Sequence, residues 1–118
     1  MALTSEEVMT TDIKTGTDAW REKDLLKHVR EWAKLQGWRD YHSWTSIHSP
    51  RGFPDLFMVR IKDDGEGEVI AAELKSNLKT SKASPAQMAW LEDLSHVPGI
   101  RTFLWRPSDW DAIVETLR

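Results

Sequence analysis

Gly52-Phe53-Pro54-Asp55-Leu56-Phe57-Met58-Val59-Arg60-Ile61 and, beyond an Asp63-Asp64-Gly65-Glu66-Gly67 turn, Glu68-Val69-Ile70-Ala71-Ala72-Glu73-Leu74-Lys75 decide the fold of this chain. Two apolar runs separated by Asp-Gly turn chemistry predict an antiparallel hairpin, with strands at Leu56 to Ile61 and at Glu68 to Lys75. Side chains two apart on a strand share a face, so Glu73 and Lys75 project together while Leu74 faces the opposite layer. Asp55 begins the neighbouring strand and is expected to approach Glu73.

Upstream of the hairpin, Leu25, Leu26, Val29 and Ala33 recur at helical spacing and Gly37 is a stop signal, which predicts a helix of about sixteen residues from about Asp18. Glu22 precedes Leu26 and Val29 by four and seven positions, in line with the apolar stripe. Trp38 to Thr45 reads as a first strand, and Ser46 to Pro54 as a loop. Downstream, Asn77 to Ala83 is an exposed basic loop. Ser84-Pro85-Ala86-Gln87 then has the form of a capping box, with Ser at the N-cap and Pro at the first helical position. Met88, Leu91 and Leu94 are expected to form the buried stripe of that second helix, and Pro98-Gly99 to end it. Ile100 to Trp105 predicts a last strand, and Pro107-Ser108-Asp109 opens a C-terminal helix carrying Trp110, Ile113, Val114 and Leu117. The predicted order is α-β-β-β-α-β-α: an α/β protein with a mixed, mostly antiparallel sheet flanked by helices.

At 118 residues the chain has room for one domain with a core of its own. The expected division is a loose leader at 1–17 and a domain at 18–118. With no cysteine in the sequence, disulfides, thiolate catalysis and Cys-based zinc sites are excluded. No apolar run near the start suggests a secretion signal or a membrane span, so a soluble cytoplasmic protein is expected. The formal net charge of −3 removes the simple argument that a basic protein coats nucleic acid. Cations bound at carboxylates would reverse that sign locally. The seven tryptophans are expected in core and interface packing, with base stacking a lesser use.

The chemistry centres on Asp55, Glu73 and Lys75. Two carboxylates brought together in a partly dry site repel unless a proton or a cation lies between them. A hard, oxygen-seeking divalent cation suits that demand, with a water beside a substrate phosphate. Each residue alone has an ordinary alternative: Asp55 as a turn residue, Glu73 and Lys75 as a surface ion pair. Glu22 could stabilise the positive end of its helix, and Gln87 could simply complete the capping box. Both also lie on the inward stripes of their helices, which suggests a shared polar centre. His28 and His96 read as helix-surface residues and His48 as a loop residue, and no zinc spacing is present. His42 is the histidine placed to come near a phosphate at the site. The acidic run from Asp63 to Glu68 lacks the EF-hand pattern and reads as a solvated hairpin tip.

Gly52-Phe53-Pro54-Asp55 with Glu73-Leu74-Lys75 resembles the PD-(D/E)xK nuclease signature. From about Trp20 to Leu117 the chain is similar to the virus-type replication-repair nuclease domain, VRR-NUC. The short signature gains specificity from Glu22, from Gly37-Trp38 and Tyr41-His42, and from Gln87 with Trp90-Leu91.

The resemblance implies a restriction-endonuclease-like core in which Asp55, Glu73 and the Leu74 backbone carbonyl ligate Mg²⁺ or Mn²⁺. Glu22 would approach the metal directly or through water, Lys75 would orient or activate the attacking water, and Gln87 would reach the site from the second helix. Arg51, Lys79 and Lys82, with His42, are candidate phosphate contacts. The resemblance also implies DNA as substrate, branched, flapped or a four-way junction, in phage or cellular replication and repair. The host would be a bacterial or phage-infected cell. Symmetrical junction cleavage would call for a homodimer, with tryptophans at its interface. Two other readings stay open: a catalytically silent binding module on the same fold, and a nicking or exonucleolytic enzyme acting on ordinary duplex DNA.

Overall fold

A computed structural model of the chain describes residues 16–42 and 51–118. Its centre is a four-stranded mixed sheet in the order β1-β2-β3-β4, formed by Arg39–His42, Leu56–Ile61, Gly67–Leu74 and Ile100–Trp105. β1 pairs with β2 and β2 with β3 antiparallel, whereas β3 and β4 run parallel. Among the described residues three α-helices accompany the sheet: α1 (Glu22–Leu35), α2 (Pro85–Ser95), which connects the parallel pair, and α3 (Trp110–Leu117).

The expected hairpin is present. A turn closed by Lys62 N–H on the Glu66 carbonyl at 2.8 Å sets Leu56 opposite Ala72 and Met58 opposite Ile70. β3 is buried from Ile70 through Leu74, which explains its unbroken apolar run: a strand with helices on both faces has no solvent side. One face packs Leu56, Met58, Ile70, Ala72 and Leu74 against Leu25, Val29 and Ala33 of α1 and Ile113 and Leu117 of α3. α2 covers β3 and β4 on the other face.

Several boundaries shift for local reasons. α1 begins at Glu22, not near Asp18, because Asp24 caps the Arg21 N–H at 2.9 Å, and a short 3-10 helix, Gly16–Ala19, precedes it. Gly37, at φ +89°, ends α1, and the Trp38 N–H is spent on the Ala33 carbonyl, so β1 starts at Arg39 instead of Trp38. The rest of the expected first strand, residues 43–45, lies outside the described residues, as do His48 and 1–15 of the expected leader. β3 ends at Leu74, although the Lys75 N–H still bonds the Trp105 carbonyl at 2.9 Å. Residues 107–109 form a 3-10 turn ahead of α3. The expected buried stripe of α2 is corrected: Leu91 is buried, Leu94 half-buried, and Met88 is 48% exposed. His28 is not a simple surface residue either, since its ring stacks on Trp20 at 3.9 Å and meets Trp110 edge-on.

The described tryptophans are buried or half-buried. Trp32 and Trp38 donate their indole N–H groups to the Val114 and Leu117 carbonyls of α3, and Trp105 stacks on Phe103. No described tryptophan is among the exposed large apolar residues; Trp44 lies outside the described residues. Among the described residues no helix is long and apolar enough to cross a membrane.

Arg60 ties the end of the sheet to the helix termini. It pairs with Glu68 at 3.0 Å, donates to the carbonyls of Gln36, Leu117 and Arg118, and lies 4.4 Å from the Trp38 ring centroid. Arg60→Ala removes this ion pair, these hydrogen bonds and the ring contact, although the Leu117 carbonyl keeps its Trp38 donor, and is expected to cost about 2 kcal/mol in urea denaturation. A change below about 0.5 kcal/mol would show the cluster to be ornamental.

Candidate functional site

Carrying the β2–β3 register one step beyond Leu56 and Ala72 sets Asp55 opposite Glu73, where directly opposed side chains share a face. Asp55 Oδ2 accepts the Leu74 N–H at 2.8 Å, which fixes the carboxylate at the end of the sheet. Glu73 is 1% exposed. Its Oε2 accepts from Gln87 Nε2 at 2.6 Å and lies 3.5 Å from Lys75 Nζ. Its Oε1 is buried with no hydrogen-bond partner. The Glu73–Lys75 pair is therefore no surface ion pair.

Burial pushes the Glu73 carboxyl up to about 8, the neighbouring charge of Asp55 pushes in the same direction, and Lys75 opposes both. Without a cation the site retains a proton on Glu73 at neutral pH. Two carboxyls can hydrogen-bond each other only while one of them is protonated, so the orphaned Oε1 is satisfied by that proton or by a cation replacing it.

Gln87 serves two purposes. Its Oε1 accepts the Ser84 N–H at 2.7 Å, completing the capping box with Ser84 Oγ on the Gln87 N–H, while its Nε2 holds Glu73. The cap and the polar centre were competing readings of one residue, and a single side chain satisfies both.

Glu22 is placed differently from expectation. As the first residue of α1 it is exposed, not inward, and it accepts from Ser81 Oγ at 3.2 Å. It nevertheless lines a cavity of about 260 Å³ together with Asp55, Leu74, His42, Lys23 and Leu26. Asp55 thus joins two groups, with Glu73, Lys75 and Gln87 on one side and Glu22 and buried His42 on the other. Among the described residues, no three His, Asp or Glu side chains converge closely enough to hold a metal alone, so Glu22 does not complete a carboxylate triad. Arg51, Lys79 and Lys82 are exposed and none of them lines this cavity.

Three further residues position the site through contacts far apart in the sequence. Gly52 adopts φ +82°, and a Cβ there would lie 2.6 Å from the backbone carbon of Ala86 in α2. Trp90 of α2 donates its indole N–H to the Arg51 carbonyl at 3.0 Å and meets the Phe53 ring edge-on at 5.0 Å. The turn that delivers Asp55 is therefore seated on the helix that delivers Gln87. The Gly-Phe-Pro turn hinted at close approach, but its partner lies more than thirty residues away. Ser81, which steadies Glu22, has no signature beyond being small and polar.

Compared with known proteins, the chain matches no family model, no curated protein and no solved structure.

Gly52→Ala combines left-handed strain with a clash against backbone and is expected to cost about 2–3 kcal/mol, measured by urea denaturation. Glu73→Gln tests the buried carboxyl. A carboxyl whose pKa rises on folding binds more protons folded than unfolded, so stability falls as pH climbs from about 4.5 to about 8. In metal-free buffer the wild type should lose up to about 5 kcal/mol across that window, and Glu73→Gln, which mimics the protonated acid, should largely abolish the loss. An unchanged pH profile in Glu73→Gln would remove Glu73 as its source.

Proposed function

We propose that the chain is a metal-dependent nuclease of restriction-endonuclease-like type, hydrolysing DNA phosphodiester bonds. The observation that carries the reading is the pairing of Asp55 with the buried Glu73, whose Oε1 lacks a partner while Lys75 and Gln87 occupy Oε2. The donor set is all oxygen, which suits Mg²⁺ or Mn²⁺. Two carboxylates are enough for Mg²⁺, which normally keeps waters and takes substrate phosphate as further ligands.

Asp55 and Glu73 would hold the cation, joined by the Leu74 carbonyl, and Glu22 would act through water from across the cavity. When bound, the cation supplies neutralisation of charge developing on the phosphate and a lowered pKa for its water. Lys75, 14% exposed and held beside Glu73, orients the attacking water and adds a positive charge where the phosphorane-like charge develops. Gln87 keeps Glu73 from swinging away, and the Leu74 N–H does the same for Asp55. Branched, flapped or four-way-junction DNA is the preferred substrate in this reading, with a homodimer providing paired cuts and a cytoplasmic setting in replication or repair.

The test is a cleavage panel of junction, flap, duplex and single-stranded DNA with Mg²⁺, Mn²⁺ or EDTA. Cutting is expected with either metal and not with EDTA, and Asp55→Asn and Lys75→Ala should each lower the rate by about 100-fold or more. Metal-dependent cutting that survives both substitutions sinks the site. Binding of DNA without cutting in any metal points instead to a silent binding module.

A further inference from the structure

A second, larger groove adjoins the site. It encloses about 660 Å³ between α1 and β1 and meets the Asp55 cavity at Lys23, Leu26 and His42, which line both. Lys23, Lys27, Arg30 and Lys34 line it from α1, and Arg39 from β1. The four α1 cations fall at steps of four, three and four residues, one face of a helix, and from Lys23 to Lys34 they extend about 16 Å.

The charge balance of the groove runs against that of the chain. Formal net charge is −3 overall, yet five cations here face only Glu31 and Asp40. Asp40 is already taken by Arg30 at 2.6 Å. Among the described residues, Lys23, Lys27, Lys34 and Arg39 form no ion pair, while Arg21, Arg60, Lys75, Arg101 and Arg118 each have a carboxylate. Like charges at steps of three and four on one helix face repel, and the single Glu31 among them offsets only part of that. A polyanion laid along the groove turns that repulsion into attraction.

We infer that this groove is the track for the sugar-phosphate backbone of the DNA strand that enters the site, with Lys23, Lys27, Lys34 and Arg39 meeting phosphates along it. The inference rests on the nuclease reading for its direction, since the groove leads to Asp55. Its length matches four to five base steps at about 3.4 Å of axis each. Apart from Lys23, which lines both, the cations lie outside the Asp55 cavity, so a strand is gripped along α1 while its scissile phosphate needs a metal to approach Asp55 and Glu73. Arg30 has a different task, since its pair with Asp40 holds α1 to β1 and so keeps the walls of the groove together.

The test is binding, read separately from cutting. Fluorescence anisotropy of labelled single-stranded and duplex DNA is followed across a salt series in Ca²⁺, for wild type, Lys27→Ala/Lys34→Ala and Arg39→Ala. Lys62→Ala, a cation on the hairpin turn that lies outside the groove lining and pairs with Glu66 at 4.0 Å, controls for net charge. These side chains are exposed, and unchanged Tm values establish that the variants are folded. The double variant should bind at least about tenfold more weakly, with the slope of log K against log salt reduced by about two, and Arg39→Ala should reduce it by about one. Lys62→Ala should leave both unchanged. Wild type that binds no DNA, groove variants that bind like wild type, or an equal loss in Lys62→Ala would each overturn the assignment. Groove-dependent binding without cleavage in Mg²⁺ or Mn²⁺ keeps the track and removes the nuclease reading; cleavage indifferent to the groove variants does the reverse.

Discussion

Glu73 is a carboxyl group almost wholly withdrawn from water at the end of the most deeply buried strand of the sheet, and its surroundings are organised by that expense. An isolated charge there would be penalised by several kcal/mol, so the acid must stay protonated or be matched by partners. The chain provides an amide from α2, an ammonium two residues along the strand, and an opposed carboxylate from the Gly-Phe-Pro-Asp turn. The first two stabilise the ionised form and the third opposes it. In the proposed reading, this balance lets a cation take the place of the proton on Glu73.

The same tension extends to the surface. Carboxylates at the sheet end would turn away a phosphate, and the cations able to attract one are set along α1, beyond Lys23 and His42. In the proposed reading, attraction and chemistry are thereby separated in space. A chain of modest negative charge can hold a polyanion in this way, because a local concentration of unpaired cations matters more at short range than the sum over the molecule.

Much of this was legible in the sequence where a periodic pattern and a strong turn signal agree. β2 and β4 occupy the residues their apolar runs predict, and the Ser84-Pro85-Gln87 start of α2 is found as read. Register then carries Asp55 to Glu73 without further information. Less legible were features set by contacts far apart in sequence. Gly52 is required by Ala86, and His28 is drawn under Trp20 and Trp110. Glu22 satisfies the arithmetic of an inward stripe, yet at the first turn of α1 the helix has not reached the sheet, so the same spacing leaves it at a cavity mouth. Two signals were present and unread: Arg60 shares the inward parity of Met58 in an otherwise apolar strand, and the α1 cations repeat at helical spacing.

The residue type at position 87 separates fold from function more sharply than its position does. A capping box accepts Glu as readily as Gln, because only an acceptor oxygen is needed for the Ser84 N–H. With Glu at 87 the cap would survive, while the atom facing Glu73 Oε2 would become a second acceptor 2.6 Å from the first. Three carboxyl groups would then crowd one buried corner. An amide alone supplies an acceptor to the backbone and a donor to the acid, and these two bonds fix its orientation without ambiguity. Helix formation explains why the residue belongs to the Glu/Gln pair, and only the buried carboxyl of Glu73 explains why it is Gln.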